Sequence, residues 1–233
     1  MSNTQKLQNI RTVILDFDFT LWDHRQDIFV KHFFHFLSPK QIQKAQRQFC
    51  VVLEKIPSWV KGLKVDPELV LACIEKYMPI FNCWKVKHER LTPRDFMDYW
   101  LKMDVTDTTE NAVEVVRNLY DRGYTIVGLT DWFWEAQIKI LKKHGFYPYF
   151  HQIFTCDNWF FKPDKRSMER IFEYHDRSGC IMVGDGLETD IEIANRCQIP
   201  SVYLNRLGID YENKEQEPTY VISRLEELLD ILP

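Results

Sequence analysis

Short apolar runs alternate along this chain with stretches whose apolar positions recur every third or fourth residue. The runs have strand length: Thr12–Leu15, Thr125–Leu129, His151–Thr155, Cys180–Val183, Ser201–Leu204 and Tyr220–Ile222. Several are apolar at successive positions, the pattern of parallel strands covered on both faces. Between the later runs the period becomes helical. Ala112, Val113, Val116, Leu119 and Tyr120 make one stripe, with Asp107 as its N-cap and Glu110 three residues on. Trp134, Ile138 and Leu141 make a second, ended near Gly145. Met168, Ile171 and Phe172 make a third, after Pro163-Asp164. The last helix opens with the capping box Ser223-x-x-Glu226 and buries Leu225, Leu228, Leu229 and Leu232. Strands alternating with helices predict an α/β fold on a doubly wound parallel sheet.

From Asp23 to about Met103 the texture differs. No strand-like run occurs there, and the pattern predicts at least four helices. One starts at Ser38-Pro39-x-Gln41, a capping box with proline at the first helical position. It carries the stripe Ile42, Ala45, Phe49, Val52, Leu53 and Ile56. Asp66-Pro67 and Thr92-Pro93 start two more, and Phe29, His32, Phe33 and Phe36 suggest another before them. The chain therefore divides into a core, residues 1–22 plus 105–233, and an inserted all-helical domain, residues 23–104.

The composition adds exclusions. With 233 residues the chain is long enough to bury a real core. Its net charge of −4 offers no basic face for a phosphate backbone, so no nucleic-acid partner is expected. No apolar run approaches the ~20 residues of a membrane span, and Met1 to Ile10 lacks a signal peptide's apolar region. The six cysteines lie far apart, with no pair or histidine at zinc spacing. Buried free thiols are expected, and with them a reducing, cytoplasmic location. Oligomeric state is not legible.

Four predicted strands end in polar chemistry. They are followed or closed by Asp16-x-Asp18-x-Thr20, by Thr130-Asp131, by Lys162-Pro163-Asp164 and by Gly184-Asp185-Gly186-Leu187-Glu188-Thr189-Asp190. In an open α/β sheet, ligands bind at the carboxyl ends of the strands, so all four segments should meet at one edge. Two carboxylates two residues apart on a strand point the same way and repel unless a cation or a proton intervenes. Asp16, Asp18, Asp185 and Asp190 form an oxygen-rich set suited to a hard cation such as Mg²⁺. Lys162 and the Thr130 hydroxyl can bind an anion beside it. Such a set suits phosphoryl transfer to an aspartate. Each residue has a plainer reading: Asp164 as a helix N-cap, Asp190 as first-turn helix charge, Lys162 as a surface lysine.

With these segments in this order, the chain resembles the haloacid dehalogenase superfamily, in the subfamily with a helical cap inserted after the first motif. The resemblance implies a Rossmann-like core and a Mg²⁺-dependent phosphomonoester hydrolase acting on a small organic phosphate. It implies Asp16 as the nucleophile that becomes the aspartyl-phosphate, and Asp18 as general acid/base whose backbone carbonyl also meets the metal. Thr130 would hold the transferring phosphate, Lys162 would neutralise charge and steady Asp16, and Asp185 and Asp190 would complete the metal shell. Hinges of a closing cap would lie around Trp22–Gln26 and Leu101–Asp107. There are two departures. Phe19 stands where the family has a small or polar residue, which should alter the turn and make one wall aromatic. Asp131 replaces the usual Asn and could contact a polar leaving group. Trp22, Trp132 and Trp159 are candidate walls for that group, against core packing as the plainer role.

Alternatives stay open. A 2-haloacid dehalogenase would not need Asp18. A phosphonate hydrolase would need a cap lysine, for which Lys31, Lys40, Lys44, Lys55, Lys61 and Lys64 are available but sit in no recognisable motif. A phosphomutase differs in cap chemistry, and a non-catalytic binding protein would leave every catalytic position filled without use.

Overall fold

Six short strands, β1 (Thr12–Leu15), β4 (Thr125–Leu129), β5 (Gln152–Phe154), β6 (Cys180–Gly184), β7 (Ser201–Leu204) and β8 (Tyr220–Ile222), form one sheet in the order β5-β4-β1-β6-β7-β8. Every neighbouring pair is parallel. This is the computed structural model of the chain, and it describes residues 7, 9–25, 30, 34–60, 67–80, 106–156, 160–208 and 216–233. The sheet grows one way from β1 through β4 to β5 and the other way through β6 to β8, so its direction switches beside β1. That makes the carboxyl end of β1 the expected crevice of the doubly wound fold. The register levels the site: Leu15 stands opposite Gly128 of β4 and Val183 of β6. The residues that follow these three leave the sheet at one height.

The apolar runs form strands because both faces are covered. Val13 and Leu15 pack with α3 (Ala112–Asp121), α4 (Trp134–His144) and α7 (Leu228–Ile231). Ile14 turns to the other layer, against α5 (Arg166–Phe172) and α6 (Glu192–Cys197). Each such buried side chain contributes about 1.5–3 kcal/mol. Gly145 ends α4 in the left-handed conformation with φ 82°, as its position in the pattern predicts.

The insertion shows two helices among the described residues, α1 (Pro39–Val60) and α2 (Pro67–Tyr77). At the start of α1, the Ser38 N–H and hydroxyl both donate to Gln41 Oε1, at 3.0 and 2.8 Å. Ala45 and Val52 of α1 and Val70, Leu71, Cys73 and Ile74 of α2 share one apolar cluster with Phe133, Ala136, Cys156 and Phe161. The insertion thus packs on the segments that follow β4 and β5. The helix expected at Thr92-Pro93 lies outside the described residues, as does most of the one around Phe29.

Three local expectations are corrected. The ends of the insertion are not strand-free: β2 (Trp22–His24) pairs antiparallel with β3 (Thr106–Thr108), with Trp22 opposite Thr108, Asp23 opposite Asp107 and His24 opposite Thr106. Asp107 is therefore a strand residue and not a helix cap. Asn111 occupies the N-cap of α3, with φ 53°, and its amide donates to Glu226 Oε1 at 2.5 Å. Asp23 and Asp107 face each other without penalty because each has its own arginine, Arg206 at 2.6 Å and Arg25 at 3.1 Å. At the C-terminus the capping carboxylate is Glu227, one residue later than the pattern suggests. It accepts from the Ser223 N–H and hydroxyl and from the Arg224 N–H.

Cys73, Cys156, Cys180 and Cys197 are buried free thiols. Among the described residues no helix is long and apolar enough to cross a membrane.

Candidate active site

Asp16 follows β1 directly, and its N–H donates to Val183 O at 2.9 Å, which continues the sheet by one bond. Its carboxylate faces a buried cluster. Lys162 Nζ donates to Asp16 Oδ1 at 2.6 Å and to Asp190 Oδ1 at 2.5 Å, with all three side chains below 10% exposed. The Thr20 hydroxyl lies 3.4 Å from Asp16 Oδ2 and 3.3 Å from Asp185 Oδ1. Oxygens of Asp16, Asp185 and Asp190 all lie within 4.8 Å of one another. Asp190 sits in an irregular wide turn of helix, Leu187–Ile191, and accepts the Gly186 N–H at 2.9 Å. Gly184 is required here: a Cβ would collide with the Asp190 carboxylate.

The electrostatics follow from this crowding. Burial, then repulsion from Asp190, raises Asp16 well above the usual carboxylate range despite Lys162. Burial and Asp190 also push Asp185 up to about 7. Burial works against charge on Lys162, but Asp16 and Asp190 outweigh it and hold the ammonium firmly protonated. Three carboxylates converge on one ammonium. This donor set is hard, anionic and under-neutralised, and it fits a divalent cation.

Asp18 lies two residues on and has different company. Its Oδ1 accepts from Trp22 Nε1 at 3.0 Å and meets His24 Nε2 at 2.5 Å. Its Oδ2 accepts from Gln137 Nε2 at 2.6 Å, with the Thr130 hydroxyl at 3.4 Å. Burial alone would raise its pKa, but the positive charge on His24 and the bonds from His24, Trp22 and Gln137 lower it. The carboxylate of Asp18 is not part of the acid cluster. A role at a metal would pass through its backbone carbonyl, as the resemblance implies.

Thr130 follows β4, is 2% exposed, and anchors its N–H on Phe154 O at 3.0 Å. Asp131 Oδ1 accepts the Lys162 N–H at 2.9 Å and so braces the loop after β5. Burial raises its pKa to about 6, against the pull of Lys162. Asp164 caps the turn into α5 by accepting the Arg166 N–H at 3.0 Å. Lys162 precedes a cis peptide bond to Pro163.

The aromatic candidates separate. Trp22 is 0% exposed, lies 5.2 Å from the Phe17 ring, and gives its N–H to Asp18; it orients a carboxylate and is no outer wall. Trp132 is half-buried against the apolar cluster of the insertion, with its ring 5.1 Å from Phe133. Trp159 lies outside the described residues. Phe19 takes a left-handed conformation, φ 63°, which explains why a small or polar residue is usual there. Its carbonyl accepts from Arg206 Nη2 at 2.5 Å, and its ring stands 5.5 Å from that of His24. Phe19, Asp185, Tyr203 and Arg206 help line a cavity of about 280 Å³.

Sequence reasoning missed His24, Gln137 and Arg206. Only Gln137 left a signal, a polar residue beside Ala136 on the buried side of an apolar stripe.

Residues 10–198 match the family model described as haloacid dehalogenase-like hydrolase, about four-fifths of the chain. The chain is 28% identical over 129 residues to the pyrimidine 5'-nucleotidase PynA of Streptococcus pneumoniae, covering 54% of each protein. It is 29% identical over 127 residues to the HAD-hydrolase YfnB of Bacillus subtilis, covering 53% of each. The chain thus matches about half the length of these curated relatives. The crystal structure of magnesium-bound YfnB superposes over 96% of this chain and 99% of its own, with a TM-score of 0.74 at 19% identity. L-2-haloacid dehalogenase of Xanthobacter autotrophicus superposes over 95% and 98%, with a TM-score of 0.72 at 14% identity.

Proposed function

This chain belongs to the haloacid dehalogenase-like hydrolases, and on that premise we propose that it is a Mg²⁺-dependent phosphomonoesterase working through an aspartyl-phosphate on Asp16. The observation that carries the reading is the separate housing of Asp18. A second carboxylate two residues from Asp16, given donors from Trp22, His24 and Gln137, supports phosphoryl transfer over dehalogenation, which does not need a second acid/base there.

An oxygen of the Asp16 carboxylate attacks phosphorus, and the bond from phosphorus to the leaving oxygen breaks. Asp18, ionised in the free site, takes up a proton as the phosphate anion arrives beside it and passes that proton to the leaving oxygen. The ionised Asp18 then takes a proton from water, whose oxygen attacks phosphorus and releases Asp16 and inorganic phosphate. The Thr130 hydroxyl donates to the phosphoryl oxygens and Lys162 balances their charge. Asp16, Asp185 and Asp190, with the Asp18 carbonyl, would hold Mg²⁺, which supplies charge neutralisation at the phosphoryl group. Residues 23–104 would serve as a cap closing over this edge, a reading in keeping with the interdomain movement described for YfnB.

The pyrimidine nucleotidase relative and the Phe19 and Tyr203 rings lining the cavity beside Asp185 support a nucleoside monophosphate, or another small phosphate ester with a planar part, as the substrate class. The test is phosphate release across a panel of such esters, with Mg²⁺ or EDTA, beside Asp16→Asn. Mg²⁺-dependent release lost in the variant is the expected result. Release that survives Asp16→Asn would sink the nucleophile assignment.

A further inference from the structure

We propose that Gln137 is a positioning residue for this hydrolysis, fixing the Asp18 carboxylate and the Thr130 hydroxyl relative to each other through one side-chain amide. The inference rests on the phosphomonoesterase reading and deepens it.

Gln137 is the fourth residue of α4 and is fully buried. Its helix starts directly after the segment carrying Thr130 and Asp131, so the backbone sets its side chain beneath the strand ends. The amide nitrogen donates to Asp18 Oδ2 at 2.6 Å and to Thr130 Oγ1 at 3.1 Å, using both of its hydrogens. The orientation is dictated by the neighbours. An amide oxygen turned the other way would face a carboxylate.

Two consequences follow. Asp18 lies at the far end of an amide whose base is held in a helix, so its Oδ2 has a fixed location before any substrate arrives. The Thr130 oxygen accepts from Gln137, so its own proton points away from the amide, toward Asp18 Oδ2 at 3.4 Å in the free site, and can turn to a phosphoryl oxygen when one arrives. That is the polarity a hydroxyl needs to hold a phosphoryl oxygen.

The remaining polar atom of Gln137 argues against a purely structural role. Its Oε1 is buried with no hydrogen-bond partner. A buried acceptor left unmade is destabilising. An apolar side chain of similar length would spare the fold that cost but would leave the Asp18 carboxylate without its 2.6 Å donor, so what the glutamine brings to this position is its two donated bonds.

The test is made on the full-length, Mg²⁺-loaded protein with Gln137→Met, and with Gln137→Leu as the second shape. Each is assayed on a small alkyl phosphate, whose leaving oxygen needs a proton, and on dinitrophenyl phosphate, whose leaving group departs without one. Melting temperatures are recorded in parallel. Expected is a fall in kcat of about tenfold or more on the alkyl ester and under about threefold on the aryl ester, with the variants still folded at the assay temperature. In an Asp18→Asn background, adding Gln137→Met should cost less than about twofold, because both changes remove one function. An equal loss on both esters, no loss on either, or a full further loss in the Asp18→Asn background overturns the inference. A wild type inactive on every ester brings down the phosphomonoesterase reading and this inference together; an active wild type with an unchanged ester ratio brings down this inference alone.

Discussion

Asp16 and Asp18 leave the same strand two residues apart, yet the two sides of that strand end treat a carboxyl group in opposite ways. On the Asp16 side stand Asp185, Asp190 and Lys162, and burial, then crowding among anions, raises the acid's pKa. On the Asp18 side stand an indole, an imidazole, an amide and a hydroxyl, and the donors lower it. One side is short of positive charge and suits a cation and a phosphate. The other is saturated with donors and holds one carboxylate still. Chemistry that needs a nucleophile and a separate proton carrier can be housed in three residues when their surroundings are pushed apart this far.

Substitutions that erase one side should have the largest effects. Asp16→Asn keeps shape and removes the attacking charge, so turnover should fall below detection in a phosphate-release assay while the melting temperature holds or rises. Asp18→Asn leaves the cluster intact and should lose about 10²–10⁴ in kcat on esters with poor leaving groups, with Mg²⁺ affinity unchanged in a titration. If Mg²⁺ affinity falls equally in both variants, the two sides are not independent. A subtler break comes from Gly184→Ala. The added methyl must displace Asp190, which loosens its bond to Lys162. Activity should drop by about tenfold or more while the kcat ratio between alkyl and aryl esters stays as in wild type, since Asp18 is untouched.

The smallest effect sharpens the contrast through pH. Asp131 is a further carboxylate beside Lys162, raised from 3.8 to about 6 by burial. Its folded form binds the proton more tightly than its unfolded form, so stability falls as pH rises from about 4 to about 6 and stays lower above that. Asp131→Asn keeps an oxygen for the Lys162 N–H and removes the charge. Above pH 6 the variant should be more stable by on the order of 1–2 kcal/mol, and at pH 4 the two proteins should melt alike. A constant difference across that range would assign the effect to packing instead.

The six sheet strands and the residues at their ends were legible in the sequence because they come from local signals. Val13 to Leu15 is uninterrupted by polar residues, as is Cys180 to Val183, and burial on both faces demands that pattern. The β2–β3 ribbon was not legible. Its strands are three residues long, polar apart from Trp22, and more than eighty positions apart, so nothing local announces their pairing. The same holds for the donors around Asp18. His24 and Gln137 carry no motif, and their role exists only once the strand ends and α4 are assembled. Asp107 was misread for a related reason: an acidic residue ahead of an apolar stripe resembles a cap, and only its partner strand shows otherwise.

Trp22 and His24, two of the donors to Asp18, sit on the ribbon that leads into the helical insertion, and that ribbon closes on Thr106–Thr108 before the chain rejoins the core. It therefore marks a grafting boundary. Exchanging the insertion beyond His24 and before Thr106 would keep Trp22 and His24 on Asp18, while a replacement would still have to cover Phe133, Ala136 and Phe161. The same exchange made two residues earlier would take away His24, and with it the 2.5 Å contact to Asp18.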